Sequence, residues 1–361
     1  MAETTKIEWA SHTWNPYIGC SKVSAGCANC YAEADFDKRR GFAKWGPNGT
    51  RVKTSDAYWK KPVKWNREAA CTCGGDGEHC AACLNGPPRV FVSLCDPFED
   101  WDGPIRDHRG NTLDVILDVA YIVRGASRVT GDRPATINDL RRDLFRLIDA
   151  TPNLNWILCT KRPENIHRMW CDQGPTGTYR RYKGAAGPAY FRDNVWLLTS
   201  VENQETADAR IPHLLKCHDL VPVLGLSCEP LIGPIDLLSV FDRWCAATGT
   251  CTASIPRLCD WLAWCIIGGE SGRNARACDL AWIRSLRDQG QAAGVATFVK
   301  QCGSNMRWAP RLGPCGSWPD DTRFDYERRG DDSSHRILLR HPKGGDPGEW
   351  PTDLRVREVP T

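Results

Sequence analysis

The sequence predicts an α/β protein, a full or partial β/α barrel in which parallel strands alternate with helices. Short apolar runs rich in β-branched residues alternate along the chain with longer amphipathic segments, which is typical of repeated β–α units. Two runs, VPVLGL at 221–226 and WCII at 264–267, are almost wholly apolar, as expected of parallel strands covered by helices on both faces. In such barrels the chemistry lies at the carboxyl ends of the strands. A doubly wound open sheet gives the same periodicity and is the alternative.

Seven strands and four helices are predicted. The strands are 13–18, 89–94, 155–159, 194–200, 220–226, 261–267 and 295–300. The helices are 30–40, 137–150, 205–216 and 279–289. The last helix begins at Asp279, whose carboxylate can cap a helix N-terminus, and it stops before Gly290, a residue type that ends helices.

Polar stretches interrupt this alternation and suggest how the chain is organised. Residues 1–40 are expected to form the first strand, a loop and the first helix, and 41–88 a cysteine-bearing insertion. Residues 89–302 continue the barrel, with a second insertion near 239–260. The remainder, 303–361, is rich in Gly, Pro and Asp, so we expect it to wrap the surface or to be partly disordered.

The composition is that of an ordinary soluble globular protein. No apolar run approaches the roughly 20 residues that a membrane span requires, and the N-terminus MAETTKIEWA lacks the pattern of a secretion signal. We therefore expect a cytoplasmic location and no membrane partner. The net charge of only +3 gives no global attraction to nucleic acid.

The chain contains 19 cysteines, an unusual number for a protein of a reducing compartment. Disulfides are disfavoured there, so clustered cysteines indicate metal ligands first. Cys20, Cys27 and Cys30 follow a C-x6-C-x2-C spacing between the first predicted strand and helix. Three thiolates can hold three irons of a [4Fe–4S] cluster and leave the fourth iron open for a substrate. A zinc knuckle that lacks one ligand and buried structural cysteines are the alternatives.

The motif around these cysteines resembles that of a known superfamily. NPY-x-G-C at 15–20, followed by C-x-x-C-Y-A at 27–32, is similar to the spore photoproduct lyase-like branch of the radical S-adenosylmethionine superfamily. The usual spacing there is C-x3-C-x2-C, so three residues are inserted here. The chain resembles still more closely the phage-associated Gp37/Gp68 family of three-Cys-motif, DUF5131-like proteins. That resemblance includes RVFVSLCDPFED, ILCTKRPENI, CIIGGESGRNAR and GEWPTDLRVREVP, and it spans most of the chain apart from the two insertions.

The resemblance implies roles for polar residues at the other strand ends. Asp96 follows Cys95 where relatives keep a Thr-Asp or Ser-Asp pair, and it is expected to bind the amine of S-adenosylmethionine. Lys161 is expected to meet the methionine carboxylate, which an ammonium suits. Ser200 and Glu202 are placed to meet the carboxylate or the ribose hydroxyls. For each residue a structural role, as a cap, a turn or a solvated charge, is the alternative.

Two later strand ends add further candidates. Gly268, Gly269 and Glu270 open a glycine-rich turn that also carries Arg273 and Arg276. Exposed amides and arginines can hold a phosphate or the adenosine of the cofactor, although a tight strand-to-helix connection explains such a turn equally well. Glu229, after the preceding strand, is the remaining acidic candidate.

A second cysteine cluster lies in the first insertion. Four thiols within thirteen residues, separated by glycines, form a compact and closed ligand set for a structural zinc ion. An auxiliary iron–sulfur cluster is the alternative. The four cysteines of this second group are Cys71, Cys73, Cys80 and Cys83. Cys245, Cys251 and Cys259 form a looser set, for which unligated thiols and a third metal are equally compatible.

Basic and aromatic residues interleave upstream of the second cluster and again in a later glycine-rich loop. This pattern can neutralise phosphates and stack bases, and the kinship with a DNA-repair lyase favours DNA or RNA as partner, with modified viral DNA a natural target for a phage-type protein. A solvated basic surface with inward-packed tryptophans is the alternative. The candidates are Lys53, Trp59, Lys60, Lys61, Lys64, Arg180 and Arg181.

The resemblance implies a mechanism and two cofactors, the [4Fe–4S] cluster and S-adenosylmethionine. An electron donor such as flavodoxin or ferredoxin reduces the cluster, the C5′–S bond of the sulfonium cleaves, and a 5′-deoxyadenosyl radical abstracts a hydrogen atom from the substrate. Two other functions are compatible with the sequence. One is a zinc-dependent nucleic-acid-binding protein without catalysis, and the other is a radical enzyme that acts on a small molecule or peptide.

Overall fold

A computed structural model describes most of the chain with side chains. The described residues are 5, 7–73, 84, 86–92, 94–116, 120–125, 127, 129–170, 191–249, 257–308, 323–329, 332–338 and 339–360. They divide into two compact units. Unit 1 comprises 1–23, 30–197 and 219–222, and unit 2 comprises 24–29, 198–218 and 223–361.

The main sheet confirms the predicted α/β class. It contains seven strands in the order β1-β4-β7-β8-β9-β10-β12, and the pairs β1–β4, β4–β7, β9–β10 and β10–β12 are parallel. The strands are β1 (His12–Thr13), β4 (Arg89–Val92), β7 (Asn155–Thr160), β8 (Val195–Ser200), β9 (Val223–Cys228), β10 (Trp264–Gly268) and β12 (Ala296–Gln301). The unit boundary falls within β8, so unit 1 holds the strands before it and unit 2 those after it.

The helices follow the strands as predicted. A π-helix spans Glu33–Arg39, and the α-helices are α1 (Asp56–Trp59), α2 (Lys61–Glu68), α3 (Ala120–Val123), α4 (Ile137–Asp149), α5 (Ile166–Met169), α6 (Gln204–Leu215), α7 (Leu237–Thr248) and α8 (Leu280–Ala293). The longer helices begin where side chains satisfy their first amides. Thr136 and Asn203 form capping boxes, and Asp236 and Asp279 accept from amides of their first turns.

Helix α8 begins as predicted but continues past Gly290. Gly290 is buried, and a Cβ there would lie 2.4 Å from the Thr297 hydroxyl, so this glycine allows the helix to pack closely on β12. Gly294, with a φ of 73°, is the residue that ends the helix. The left-handed conformation that a C-terminal cap requires is available to glycine at low cost.

The predicted strand at 13–18 is divided between two sheets. His12–Thr13 pairs with β4, and Tyr17–Ile18 forms β2, which pairs antiparallel with β3 (Val52–Lys53). Pro16, which has no amide hydrogen to donate to a sheet, lies between the two pieces. The chain therefore leaves the main sheet at this point.

The first insertion is a packed part of unit 1 as far as residue 68. Trp59 is fully buried and packs edge-on against Trp14 at 4.9 Å between ring centroids, and Trp14 packs in turn on Trp156 of β7. Trp65 is also buried. The apolar burial of these rings explains why a polar, glycine-containing sequence folds here.

The second insertion and the C-terminal extension also contain regular structure. Residues 237–248 form α7, whose buried face includes Phe241 and Trp244. The extension adds β13–β15 to β11 in a four-stranded sheet and buries Trp350 completely. The remaining strands are β5 (Asp114–Ile116), β6 (Thr130–Pro134), β11 (Cys278–Asp279), β13 (Met306–Trp308), β14 (Arg323–Arg329) and β15 (Asp332–Leu338). No helix within the described ranges has the length and apolar character needed to cross a bilayer.

Candidate functional site

In unit 1 the ends of β4 and β7 are joined by the carboxylate of Asp96. Its Oδ1 accepts hydrogen bonds from the Thr160 hydroxyl at 2.6 Å and the Phe98 amide at 3.0 Å. Its Oδ2 accepts from the Lys161 amide at 3.1 Å and from the Arg162 guanidinium at 2.7 Å. Four donors on a buried carboxylate fix the relative position of the two strand ends. The predicted role of Asp96 in binding an amine stays a prediction, and the structure shows this second role.

Glu99, which the sequence analysis did not single out, forms the centre of a buried ion network. Its two carboxylate oxygens accept from Nε and Nη2 of Arg51 at 2.7 and 2.8 Å, and Oε1 lies 3.4 Å from Nη2 of Arg162. The Ser21 amide donates to the same oxygen at 2.8 Å. The network therefore connects the loop that carries Cys20 with the ends of two strands.

Cys20 lies against this network. Its Sγ is 4.0 Å from Nη1 of Arg162, and Nη2 of that arginine donates to the Ser21 carbonyl at 2.8 Å. Burial, followed by the charges of Glu99 and Asp96, raises the pKa of the Cys20 thiol to about 12, although Arg162 acts in the opposite direction. Burial acts to lower the pKa of Arg162, but the interactions with Asp96, Cys20 and Glu99 outweigh it and raise that pKa. Arg162 is therefore a permanent cation at this thiol.

Cys30 precedes the π-helix and is half-buried. Its carbonyl accepts from the Ala34 amide at 3.0 Å. Gly19, which precedes Cys20, has a φ of 118°, and a Cβ there would lie 2.3 Å from the Thr50 carbonyl. A close backbone approach and a left-handed conformation both require glycine at that position. Gly19 therefore allows the loop to turn tightly before Cys20.

In unit 2 the middle of the cysteine loop, residues 24–29, is held by Glu202. This carboxylate is fully buried and accepts from Nη1 of Arg210 at 2.9 Å and from the Ser24 hydroxyl at 3.1 Å. Gly26 packs on it so closely that a Cβ would lie 2.3 Å from Oε1. The Cys27 thiol is 4.0 Å from the same Ser24 hydroxyl. Glu202 therefore positions the segment that carries Cys27.

Glu270 and Arg276 hold the same segment from the end of β10. Arg276 donates from Nε and Nη2 to the two oxygens of Glu270 at 3.0 and 2.7 Å, and from Nη1 to the Ala25 carbonyl at 2.7 Å. Asn29 donates to Glu270 at 2.9 Å. Burial acts to raise the pKa of Glu270, but the hydrogen bonds from Arg276 and Asn29 outweigh it and hold that pKa below its usual value. The pKa of Arg276 is raised by Glu270 first and also by Glu202 and Cys27.

The ends of β9 and β12 carry a second, more open ion pair. Lys300 lies 2.9 Å from Glu229, and their side chains are 30% and 14% exposed. A Cβ on Gly268 would lie 2.5 Å from the Glu229 carboxylate, so this glycine makes room for the acid. Gly269 similarly allows the close approach of the Cys302 carbonyl, at 2.3 Å from such a Cβ.

Two further predicted site residues are placed as follows. Ser200 is buried, and its carbonyl accepts from Arg210. Lys161 is half-buried.

The structure places the cysteines of the first motif in different units, with Cys20 and Cys30 in unit 1 and Cys27 in unit 2. Across the described ranges, no group of three or more His, Cys, Asp or Glu side chains is arranged to hold a metal ion. The donor types nevertheless fit an iron–sulfur cluster: the loop offers three thiols, and the Cys20 thiol lies beside an arginine. Thiolate-ligated clusters are anionic, and their properties depend on charges and hydrogen bonds around the sulfurs.

The other cysteine groups are only partly described. Cys71 is exposed and Cys73 is half-buried, and Cys80 and Cys83 lie outside the described residues. Cys245 is disulfide-bonded, so it does not serve as a thiolate ligand in this structure. Cys259 is half-buried beside Gly294, and Cys251 lies outside the described residues.

Two of the predicted nucleic-acid contacts are buried, which contradicts that part of the prediction. Lys53 pairs with Asp56 at 2.6 Å with only 5% of its side chain exposed, and Trp59 is fully buried. A buried ring offers no face on which a base can stack. The alternative of inward-packed tryptophans is correct for this stretch. Lys60 and Lys64 are exposed and Lys61 is half-buried, whereas Arg180 and Arg181 lie outside the described residues.

The chain belongs to the family of proteins of unknown function DUF5131, whose family model matches residues 4–101 and 133–338. The match includes both cysteine-bearing insertions, which we expected to lie outside it. Neither a curated protein nor a solved structure matches the chain.

Proposed function

We propose that this DUF5131 protein is a radical S-adenosylmethionine enzyme whose [4Fe–4S] cluster is held by Cys20, Cys27 and Cys30. The proposal is supported most by how the cysteine loop is held. Arg162 binds the Ser21 carbonyl beside Cys20, and Arg276 binds the Ala25 carbonyl beside Cys27. Both arginines are anchored by carboxylates at strand ends, so two separate networks fix the backbone at two points between the first two thiols.

Arginines lie near the loop and can offset the negative charge of a group bound at its thiols. Arg162 is 91% buried and lies 4.0 Å from the Cys20 sulfur, and Arg276 donates to the carbonyl of Ala25, two residues before Cys27. A buried cation that faces a sulfur stabilises negative charge there, because a low-dielectric environment strengthens the attraction. The carboxylates of Asp96 and Glu99 act against this at Cys20, where they raise the pKa of the thiol, and Arg51 and Arg162 pair with them.

When bound, the cluster supplies the electron that cleaves S-adenosylmethionine to a radical. The chain's own residues bind and orient the cofactor. We assign this binding to Lys161, Glu229 and the turn at Gly268 and Gly269, because Lys161 and Glu229 are half-buried at strand ends. Asp96, Glu202 and Glu270 are assigned instead to holding the loop, since each already accepts hydrogen bonds from several donors.

A nucleobase in DNA or RNA is the substrate class that we propose, and the resemblance is its main support. Lys53 and Trp59 are buried, so these two residues no longer support nucleic-acid binding. Binding of single- and double-stranded DNA in a salt titration separates this class from a small molecule or peptide, because phosphate contacts weaken steeply with salt.

Iron and zinc analysis after anaerobic reconstitution with iron and sulfide tests the cluster. The background variant carries Cys71→Ser and Cys73→Ser, so that the second cysteine group does not contribute. We expect about four irons per chain in this background, and a loss of at least three-quarters of them when Cys20, Cys27 or Cys30 is replaced by Ala. Cys159→Ala, a half-buried cysteine outside the motif, is the matched control. Zinc in place of iron would support the non-catalytic alternative.

A further inference from the structure

We infer that the exposed face of residues 30–44, together with Lys22, is the docking surface for a small acidic electron-transfer protein. We call it the basic face. The inference rests on the proposed function, because it concerns the protein that would deliver the electron. All of its residues belong to unit 1.

On the basic face, the positively charged side chains are exposed to solvent and the negatively charged ones are largely buried. Its cationic side chains are exposed, and the carboxylates that pair with them are not: Lys44 is 69% exposed and pairs with Asp37, which is 6% exposed. Lys38 is 68% exposed against 14% for Glu33, and Arg39 is 69% exposed against 24% for Asp35. Lys22 and Arg40 are the other two exposed cations, at 44% and 53%.

Five cations against three carboxylates leave this face with a net charge of +2 (5 − 3), and the cations are the groups that meet the solvent. Such a patch raises the rate at which an oppositely charged protein collides in the right orientation. The positive charge is local, since the whole chain carries only +3.

Apolar rings stand among these cations. Tyr31, the residue after Cys30, is 64% exposed, and Phe42 is 36% exposed. Phe42 packs edge-on against Phe36, and Arg40 lies over the Phe36 ring at 5.1 Å. Exposed aromatic side chains surrounded by charged groups are typical of protein interfaces.

The basic face is also fixed in position relative to Cys30. The Ala34 amide donates to the Cys30 carbonyl at the start of the π-helix, and Asp37 accepts from the Trp45 amide at 2.8 Å beyond its end. π-helical turns occur frequently at functional sites. A donor seated on Tyr31 is therefore one residue away from a proposed cluster ligand. One electron would pass from the reduced donor to the proposed cluster at Cys30. No bond is formed and no proton is exchanged at the surface.

A nucleic acid would use the same positive charge, but the geometry favours a protein. The cations lie in one short segment, whereas a nucleic-acid groove follows the backbone over many phosphates. Electron-transfer partners, in contrast, dock through small interfaces of less than about 1,200 Å². A duplex that occupies the basic face is therefore a distinct outcome of the test.

The test measures the affinity of the full chain for an acidic flavodoxin at about 20 mM and 300 mM salt. The variant Lys38→Glu/Arg39→Glu/Lys44→Glu reverses the three most exposed cations. The matched control, Arg243→Glu/Arg257→Glu/Arg340→Glu, changes the net charge equally at arginines of unit 2 that are 56%, 75% and 73% exposed. A neutral variant, Lys38→Gln/Arg39→Gln/Lys44→Gln, removes the charges without reversing them and so controls for misfolding caused by the charge reversal. Circular dichroism shows whether each variant keeps its secondary structure.

We expect binding at low salt that the first variant weakens about tenfold or more, the neutral variant weakens less, and the control leaves near the wild-type value. Equal weakening by the control, or no binding by the wild-type chain, overturns the inference. Loss of duplex DNA affinity without loss of flavodoxin affinity also overturns it, in favour of a nucleic acid. Cleavage of S-adenosylmethionine with dithionite, which needs no docking, is measured in parallel: its absence in the wild type refutes the proposed function, whatever the binding result.

Discussion

Arg51 and Glu99 form a bidentate ion pair from which solvent is excluded. Their side chains are 0% and 1% exposed, and the two N···O distances are 2.7 and 2.8 Å. Arg51 also donates to the Ser21 hydroxyl at 2.8 Å, next to Cys20. The pair therefore anchors the start of the cysteine loop to the polypeptide that follows β4.

Glu99→Gln is expected to destabilise the protein strongly. The substitution leaves the buried guanidinium of Arg51 without a counter-charge, and breaking a buried pair in this way costs about 3–5 kcal/mol of unfolding free energy. Urea denaturation measures the loss. Asp208→Asn is the control, because its pair with Arg243 is 46% and 56% exposed and is expected to contribute less than about 1 kcal/mol. Equal effects of the two substitutions would contradict the assignment of Glu99 as an anchor.

Gly26→Ala is expected to reduce iron loading. The added methyl group would meet the Glu202 carboxylate at 2.3 Å, and Arg210 and Ser24 hold that carboxylate in place. The segment with Cys27 must then shift, so we expect at least a twofold loss of bound iron with little change in the melting temperature. Ala25→Ser, an exposed change one residue away, is the control. Full iron loading of Gly26→Ala would show that the close contact is not needed.

Asp143 is expected to make the stability of the protein depend on pH. Burial raises its pKa to about 7, against opposing effects of Arg142, Arg146 and Lys53. Between about pH 4 and pH 7 the folded chain then holds a proton that the unfolded chain has released. Stability therefore falls as the pH rises through this window, by at most about 1.4 kcal/mol per unit.

Asp143→Asn should remove this decrease and make the variant more stable than the wild type at pH 8. The pH dependence is measured as the difference between the unfolding free energies at pH 5 and pH 8, for the wild type and for the variant. Asp100→Asn, which changes a side chain that is 63% exposed, is expected to keep the wild-type dependence. A wild-type stability that is level across the window would refute the assignment.

Glu229→Gln is expected to impair cofactor binding without loss of iron. Glu229 pairs with Lys300 at 2.9 Å and lies against the backbone of Gly268, and it makes none of the contacts described above for residues 24–29. A lost charge-assisted hydrogen bond of about 1.5–3 kcal/mol corresponds to a rise of about tenfold or more in the KM for S-adenosylmethionine. Iron content is the control measurement. A variant that loses iron in parallel would instead place Glu229 among the residues that hold the loop.

The sequence predicted the main sheet well because its strands are apolar on both faces. Residues 89–94, 155–159 and 194–200 are confirmed as strands within two residues at their ends. The helix cap at Asp279 could also be predicted from the sequence, because its side chain accepts a hydrogen bond from an amide only two residues away. Gly290 was misjudged as the end of its helix, since its contact with Thr297 comes from a strand later in the chain.

The candidate site was predictable only in part. The positions of Asp96, Glu202 and Glu270 after strands identified them as site residues, yet their partners are distant in sequence. Arg162 was passed over in favour of its neighbour Lys161, and Glu99 and Arg51, separated by 48 residues, carry no local signal. Long-range ion pairs depend on tertiary packing, which periodicity does not encode.

Formation of 5′-deoxyadenosine tests the central claim most directly. The anaerobically reconstituted chain is mixed with dithionite and S-adenosylmethionine, and the product is quantified by liquid chromatography. The account predicts 5′-deoxyadenosine from the wild-type chain, and none above background from the Cys20→Ala, Cys27→Ala and Cys30→Ala variants. Absence of the product from an iron-loaded wild-type chain, or equal amounts from the three variants, would contradict it.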